Sequence, residues 1–349
     1  SIVSFYFPEA TDEHGEELIH FLPFGSFADR AVKLEVKAYD KLSGIASVEL
    51  YWTKGEDTKV IQGKESNEEG TFVFTLDEDL FKDGLEISAK AIDAAGNESE
   101  IVKALDANQD FEDNQISSNL VLISSQKPTL NVRFDDPVYS NQEQNWYQNG
   151  NINIYLNAYS EYAGIHRISV SINGEEVEKD AEGNAINDPS FAEQIVKESK
   201  EITINANEYA KNGRNELTIV VEDNSGNQVT DTKEFFVDQN PAEVTRFSIR
   251  HVNDSVIAKV LNFFTFGTFF NDQVVIEVYA DDAQEDIDVS GARSITLYGD
   301  GEEIETKEVQ GNRAEFVLPV EEITGEDVYF DKKISASVTD QVGNVSEQV

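Results

Sequence analysis

An all-β chain, built as three successive two-sheet sandwiches, is what this sequence predicts, and three observations predict it. Short stretches alternate apolar and polar residues with period two, which turns one face of a strand toward a core and the other toward water. Turns rich in Gly, Asn and Asp separate these stretches. One set of landmarks also occurs three times in the same order along 349 residues, a length that suits two or three domains able to bury their own cores.

The clearest repeat pairs "FLPFGSFADRAVKLEVKAYD" (Phe21 to Asp40) with "FFTFGTFFNDQVVIEVYADD" (Phe263 to Asp282). The offset of 242 residues holds without a gap from Phe5/Phe247 to Asp40/Asp282, the mark of a duplicated domain. A third copy lies between them. There Ile152, Ile154, Leu156 and Ala158 stand where the first copy has Val32, Leu34, Val36 and Ala38, without the Phe-rich segment. Each copy continues with a small-residue turn at Ser43, Ala163 or Ser290, and then a hairpin turn at Gly55, Gly174 or Gly301. Each closes on an alternating strand and a turn: "LEISAKAIDAAGN", "LTIVVEDNSGN" and "ISASVTDQVGN". About seven strands in each roughly 110-residue copy predict an immunoglobulin-like sandwich. The expected domains are 1–106, 128–240 and 241–349, with 107–127 as a linker or an extra strand formed by Leu120 to Ile123.

The Phe-rich segments place Leu18, Ile19, Phe21, Leu22, Phe24 and Phe27 in one copy, and Val260, Phe263, Phe264, Phe266 and Phe270 in the other, at mixed spacings of three and four. That spacing predicts a short helical plug between the first two strands, ended by Gly25 or Gly267 and lying over an open end of the sandwich. The competing expectation is an exposed aromatic platform for a sugar or a partner protein. Packing is the better account, because it demands a matched apolar pattern in both copies.

Composition excludes several functions. With 27 basic and 68 acidic side chains the net charge is −41, which repels nucleic acid and anionic lipid and attracts cations. The absence of Cys removes disulfides, zinc–thiolate sites and thiol nucleophiles. Met is absent too, so the expectation is a processed or excised segment of a longer chain. No window approaches ~18 consecutive apolar residues, and no direct membrane insertion is expected. His14, His20, His166 and His251 are scattered, and neither a nucleophile elbow nor a Gly-rich phosphate loop is present. A non-enzymatic chain is expected. Lys33, Lys37 and Lys90 take outward parity, which argues against an intramolecular isopeptide bond.

Strand, Ser-Gly turn, strand, then Asp-x-x-Gly-Asn before a last strand, with "VDQNP" at Val237 to Pro241 leading onward and Trp146-Tyr147 before a strand, resembles bacterial Ig-like domain repeats of Gram-positive, clostridial-type cell-surface and adhesin proteins. The resemblance covers nearly the whole chain. It implies an extracellular, surface-attached spacer or stalk that presents or contributes to adhesion, with the flanking domains of the same chain as neighbours. Two other functions fit the resemblance: a ligand-binding module for a host glycan or extracellular protein, and an accessory region of a secreted glycan-degrading enzyme. The middle copy departs from the pattern in carrying Ser160 where the others have Asp40 and Asp282.

Two site expectations follow from the residues. Asp40 and Asp93 continue the inward parity of their strands and end at the same pole, as do Asp282 and Asp340. Such an Asp either accepts hydrogen bonds from turn N–H groups or, with Asn97, Asn344 and the linker residue Asp238, begins an oxygen-rich Ca²⁺ site. Trp146 and Tyr147 are the candidate ligand contacts, set against packing at the start of a strand.

Overall fold

The computed structural model describes residues 1–349 apart from 16, 55–56, 66–68, 108–115, 142, 252–272, 284–286 and 320–332. The chain is a tandem array of immunoglobulin-like β-sandwiches, three in number among the described residues. In the first, one sheet orders Ile2–Tyr6, Val32–Ala38, Thr71–Leu76 and Lys64–Glu65. Its partner sheet orders His20–Leu22, Gly25–Ala28, Leu120–Ile123, Leu85–Asp93, Ile45–Lys54 and Asp57–Gln62. The second sandwich faces Thr129–Phe134, Asn153–Tyr159 and Lys200–Asn205 against a sheet centred on Gln228–Val237, Gly213–Asp223 and Ile165–Ile172. The third sets Glu243–His251, Gln273–Asp281 and Arg313–Pro319 against Glu302–Glu308, Ala292–Gly299 and Ile334–Asp340.

The period-two pattern does what it predicts in the first domain. Val32, Leu34, Val36 and Ala38 are buried while Lys33 and Lys37 are exposed. Leu34 meets a core that includes Phe5, Leu50, Phe74 and Ile87, and the other two domains have separate cores of the same kind. Each fully buried Leu, Ile or Phe contributes about 1.5–3 kcal/mol by leaving water. Three independent cores are therefore what lets the chain fold without disulfides.

The Phe-rich segment departs from expectation. In the first domain it is a β-hairpin, His20–Leu22 paired antiparallel with Gly25–Ala28, and not a helix. Gly25 is needed there for space and not for a helix-ending turn: a Cβ would lie 2.8 Å from the Phe27 ring and 3.2 Å from Leu120. The counterpart in the third domain lies outside the described residues. Leu120–Ile123 runs parallel to Gly25–Ala28 and antiparallel to Leu85–Asp93, and so completes the first domain's sheet.

The middle domain has the same device in other residues. Asn145–Tyr147 pairs parallel with the end of Gln228–Val237, Trp146 opposite Phe236, as Phe27 lies opposite Leu122. The Trp-Tyr dipeptide thus occupies the place of the Phe-rich hairpin strand.

Candidate functional site at the domain junctions

The Asp-x-x-Gly-Asn turns are built alike in all three domains. Asp93 Oδ1 accepts the N–H groups of Ala95 (2.9 Å) and Asn97 (2.7 Å), and its Oδ2 accepts the Asn97 amide (2.8 Å). Asp223 receives Ser225, Asn227 and the Asn227 amide, and Asp340 receives Gly343, Asn344 and the Asn344 amide. Glycine is required because Gly96, Gly226 and Gly343 sit at φ of 85°, 84° and 98°, where a Cβ is strained.

The second amide hydrogen of the Asn is what joins domains. Asn227 Nδ2 donates to the carbonyl of Ser124 at 2.8 Å, and Asn344 Nδ2 to that of Asp238 at 2.9 Å. Both acceptors are the first residues after the preceding domain's last strand. Asn97, in the first domain, is exposed. Asn227→Ala is therefore expected to cost about 1–3 kcal/mol, because it strands a buried carbonyl and part of the Asp223 carboxylate. Asn97→Ala, at an exposed turn, should cost about 1 kcal/mol or less. Urea denaturation of the two variants checks this, and equal losses would contradict a junction role.

Apolar seals complete each joint. Phe27 and Leu122 of the first domain pack on Ala163 of the second, with Leu22, Phe24 and Ile195 around them. Trp146 and Phe236 of the second pack on Val342 of the third, ring centroids 5.0 Å apart, with Tyr139 alongside. At the first joint a Cβ on Gly226 would fall 2.6 Å from His20 Nε2, and Lys82 lies 5.6 Å from the Tyr162 ring. Trp146 is 1% exposed and Tyr147 5%, so neither presents a ring face to a ligand. That corrects the expectation of a surface contact. The parallel pairing turns Trp146 into the joint and Tyr147 into the second domain's core, where its hydroxyl donates to the Asp135 carbonyl.

The carboxylates separate into two environments. Asp40 Oδ2 accepts the N–H groups of Leu42, Ser43 and Gly44 and the Ser43 hydroxyl, with the Ser43 and Leu42 N–H groups foremost in holding its pKa below the ordinary range. The Asn97 amide and backbone N–H do the same for Asp93. Turn capping accounts for Asp40, Asp93 and Asn97, which form no three-acid group among the described residues.

Asp238, Asp282 and Asp340 form such a group, with one carboxylate oxygen of each within 4.8 Å of one from each of the others. All three are buried, at 0%, 7% and 0% exposed. Asp238 Oδ2 accepts the Ser290 N–H (2.8 Å), and Asp282 Oδ2 accepts the Gly291 N–H (2.7 Å). Asp282 Oδ1 and the Ser290 hydroxyl are buried with no hydrogen-bond partner among the described residues. Burial, and then the charge of Asp238, push Asp282 up to about 7; burial also raises Asp340, against the pull of the Asn344 amide. Asn344 faces the acids with its NH₂ end, since Asp238 O and Asp340 Oδ2 are both acceptors. It positions the group and is not an oxygen ligand, contrary to the sequence expectation.

No protein-family model matches the chain, and no curated protein matches it. Among solved structures, one concerning host cell surface retention of a 1.5-MDa bacterial ice-binding adhesin is 15% identical, covering 91% of this chain and 88% of that one at a TM-score of 0.33. A tetra-tandem repeat in the extending region of a large adhesion protein is 13% identical, with coverages of 99% and 72% and a TM-score of 0.30. The FN1–FN3 domains of chicken CNTN1 are 10% identical, with coverages of 100% and 97% and a TM-score of 0.23. Overlaps this loose carry no argument, and the architecture rests on the sheets described above.

Proposed function

We propose that the chain is a non-enzymatic spacer of a bacterial cell-surface protein, one that holds an adhesive or other distal module away from its anchor. The observation that carries this reading is the closure of both joints by the same parts: an Asn amide on the linker carbonyl, and an outward aromatic of one domain seated on the next. A free linker needs none of these, and three jointed sandwiches work as one body. The strong negative charge keeps such a spacer solvated and unassociated. The sequence resemblance to bacterial Ig-like repeats supports the surface setting. The same jointed array serves equally as an accessory region of a secreted glycan-degrading enzyme.

Small-angle scattering of the whole chain tests the reading. Three sandwiches in line, each about 33 Å long, are expected to give a maximum dimension on the order of 100 Å and a profile fitted by a single conformation. A profile that fits only a broad ensemble of interdomain angles would overturn it.

A ligand-binding reading has one feature in its favour. A cleft of about 700 Å³ on the middle domain is lined by Glu175, Glu178, Asp180, Glu182 and Tyr209 among others. Its carboxylates suit a basic protein surface better than an acidic host glycan. Pull-down by the isolated chain, lost on Tyr209→Ala, is the result that would favour it.

A further inference from the structure

The two joints differ in one respect that packing does not explain. At the second joint the buried positions facing one another are Asp238, Asp282 and Asp340. The matching positions at the first joint are Ser124, Ser160 and Asp223, also buried. Ser124 matches Asp238 because each gives its carbonyl to the Asn of the following turn. Two acids at one joint are thus two hydroxyls at the other, on the same scaffold.

Three buried carboxylates repel one another, and the charges that act on Asp282 are themselves negative: Asp238, Asp340 and Asp281. Burying charge without a counter-charge is costly, and the usual remedy is a paired base or a metal. Among the described residues two oxygens here also have no partner, Asp282 Oδ1 and the Ser290 hydroxyl, and the Ser290 N–H bonds to Asp238. Unpartnered oxygen beside uncompensated charge is what a cation would satisfy.

We propose that Asp238, Asp282 and Asp340 bind one calcium ion between the second and third domains. The donor set is oxygen alone, which selects a hard cation over zinc or copper. Asp238 belongs to the linker and the other two to the third domain, so the ion ties the linker to the domain that follows. A cleft of about 400 Å³ lined by Asn240, Glu243, Thr245, Asp281 and Asp282 gives access, with Glu243 and Asp281 adding negative charge on the way in. The first joint, with serines, needs no ion. This site goes beyond the spacer reading and does not depend on it.

Calcium titration of the whole chain by calorimetry, in about 150 mM NaCl to screen the acidic surface, tests the site. One saturable ion per chain is expected, lost in Asp282→Ser, a substitution the first joint already carries. The unfolding midpoint of the third domain should rise by about 5–10 °C between EDTA and about 1 mM CaCl₂ in the wild type, and stay fixed in Asp282→Ser. Asp282→Ser should fold in EDTA at least as well as the wild type, because it removes a repelling charge. No saturable binding, or binding unchanged in Asp282→Ser, overturns the site. Either result leaves the spacer reading intact, because the scattering test is made without added calcium.

Discussion

Replacing Trp146 by Ala is expected to lower the stability of the second and third domains by about 3–5 kcal/mol, the cost of emptying a fully buried aromatic site. Trp146 is 1% exposed, and its ring rests on Phe236 while Val342 covers it from the next domain. Truncation therefore removes packing within the second domain and loosens the third. Trp146→Phe should be far milder, about 1.5 kcal/mol or less, because the Trp146 Nε1 has no hydrogen-bond partner among the described residues and phenylalanine removes that unsatisfied donor. Urea denaturation followed by circular dichroism measures both. The chain's other Trp, Trp52, lies in the first domain's core, so the variant's remaining fluorescence reports that domain alone and should be unchanged. A loss near zero for Trp146→Ala would contradict the seal.

A second large effect concerns acid. Asp223 is fully buried at the first joint, and burial pushes its pKa up to about 6 against the pull of the Asn227 and Ser225 donors. The folded state therefore holds this proton more tightly than the unfolded state does. Stability from that proton is present below the unfolded value near 4 and is lost as pH rises through about 6. The swing is up to about 3 kcal/mol, at ~1.4 kcal/mol per pKa unit. The second domain should thus become more stable as pH falls from 7.5 to about 5. The general acidity of the chain pushes the same way, so the decisive quantity is the difference from Asp223→Asn. Whatever that variant loses at fixed pH, its denaturation midpoint should vary less with pH than the wild type's. Parallel pH profiles would show that Asp223 titrates normally.

The repeats and their strands were legible in the sequence because each half-buried strand writes its two faces as alternation. Val32 to Ala38 is the plainest instance. The hairpin was not legible, because all four residues of Gly25–Ala28 are buried and no alternation survives. Nor could the sequence show that Trp146 stands in for Phe27. That equivalence rests on parallel pairing with Phe236 and Leu122, residues far along the chain. Strand parity and the linker did point to Asp238, Asp282 and Asp340, which the fold brings together. It could not say which end of the Asn344 amide faces them, since that depends on the acceptors around it. The paired Ser124 and Ser160 were half visible, Ser160 as a departure from the repeat and Ser124 only once the joint was in view.

The direction in which the middle domain's first and last strands run has a mechanical consequence. The chain enters along Thr129–Phe134 and leaves along Gln228–Val237, in opposite sheets. Thr129 lies opposite Tyr159, beside Ser160, and Gln228 follows the Asp223 turn, so both strands run from the first joint toward the second. Tension applied through the neighbouring domains therefore acts along these strands, perpendicular to the hydrogen bonds that hold them. The bonds are strained together in shear instead of unzipping singly from one end. Pulled from its two ends, the middle domain would then yield late and all at once.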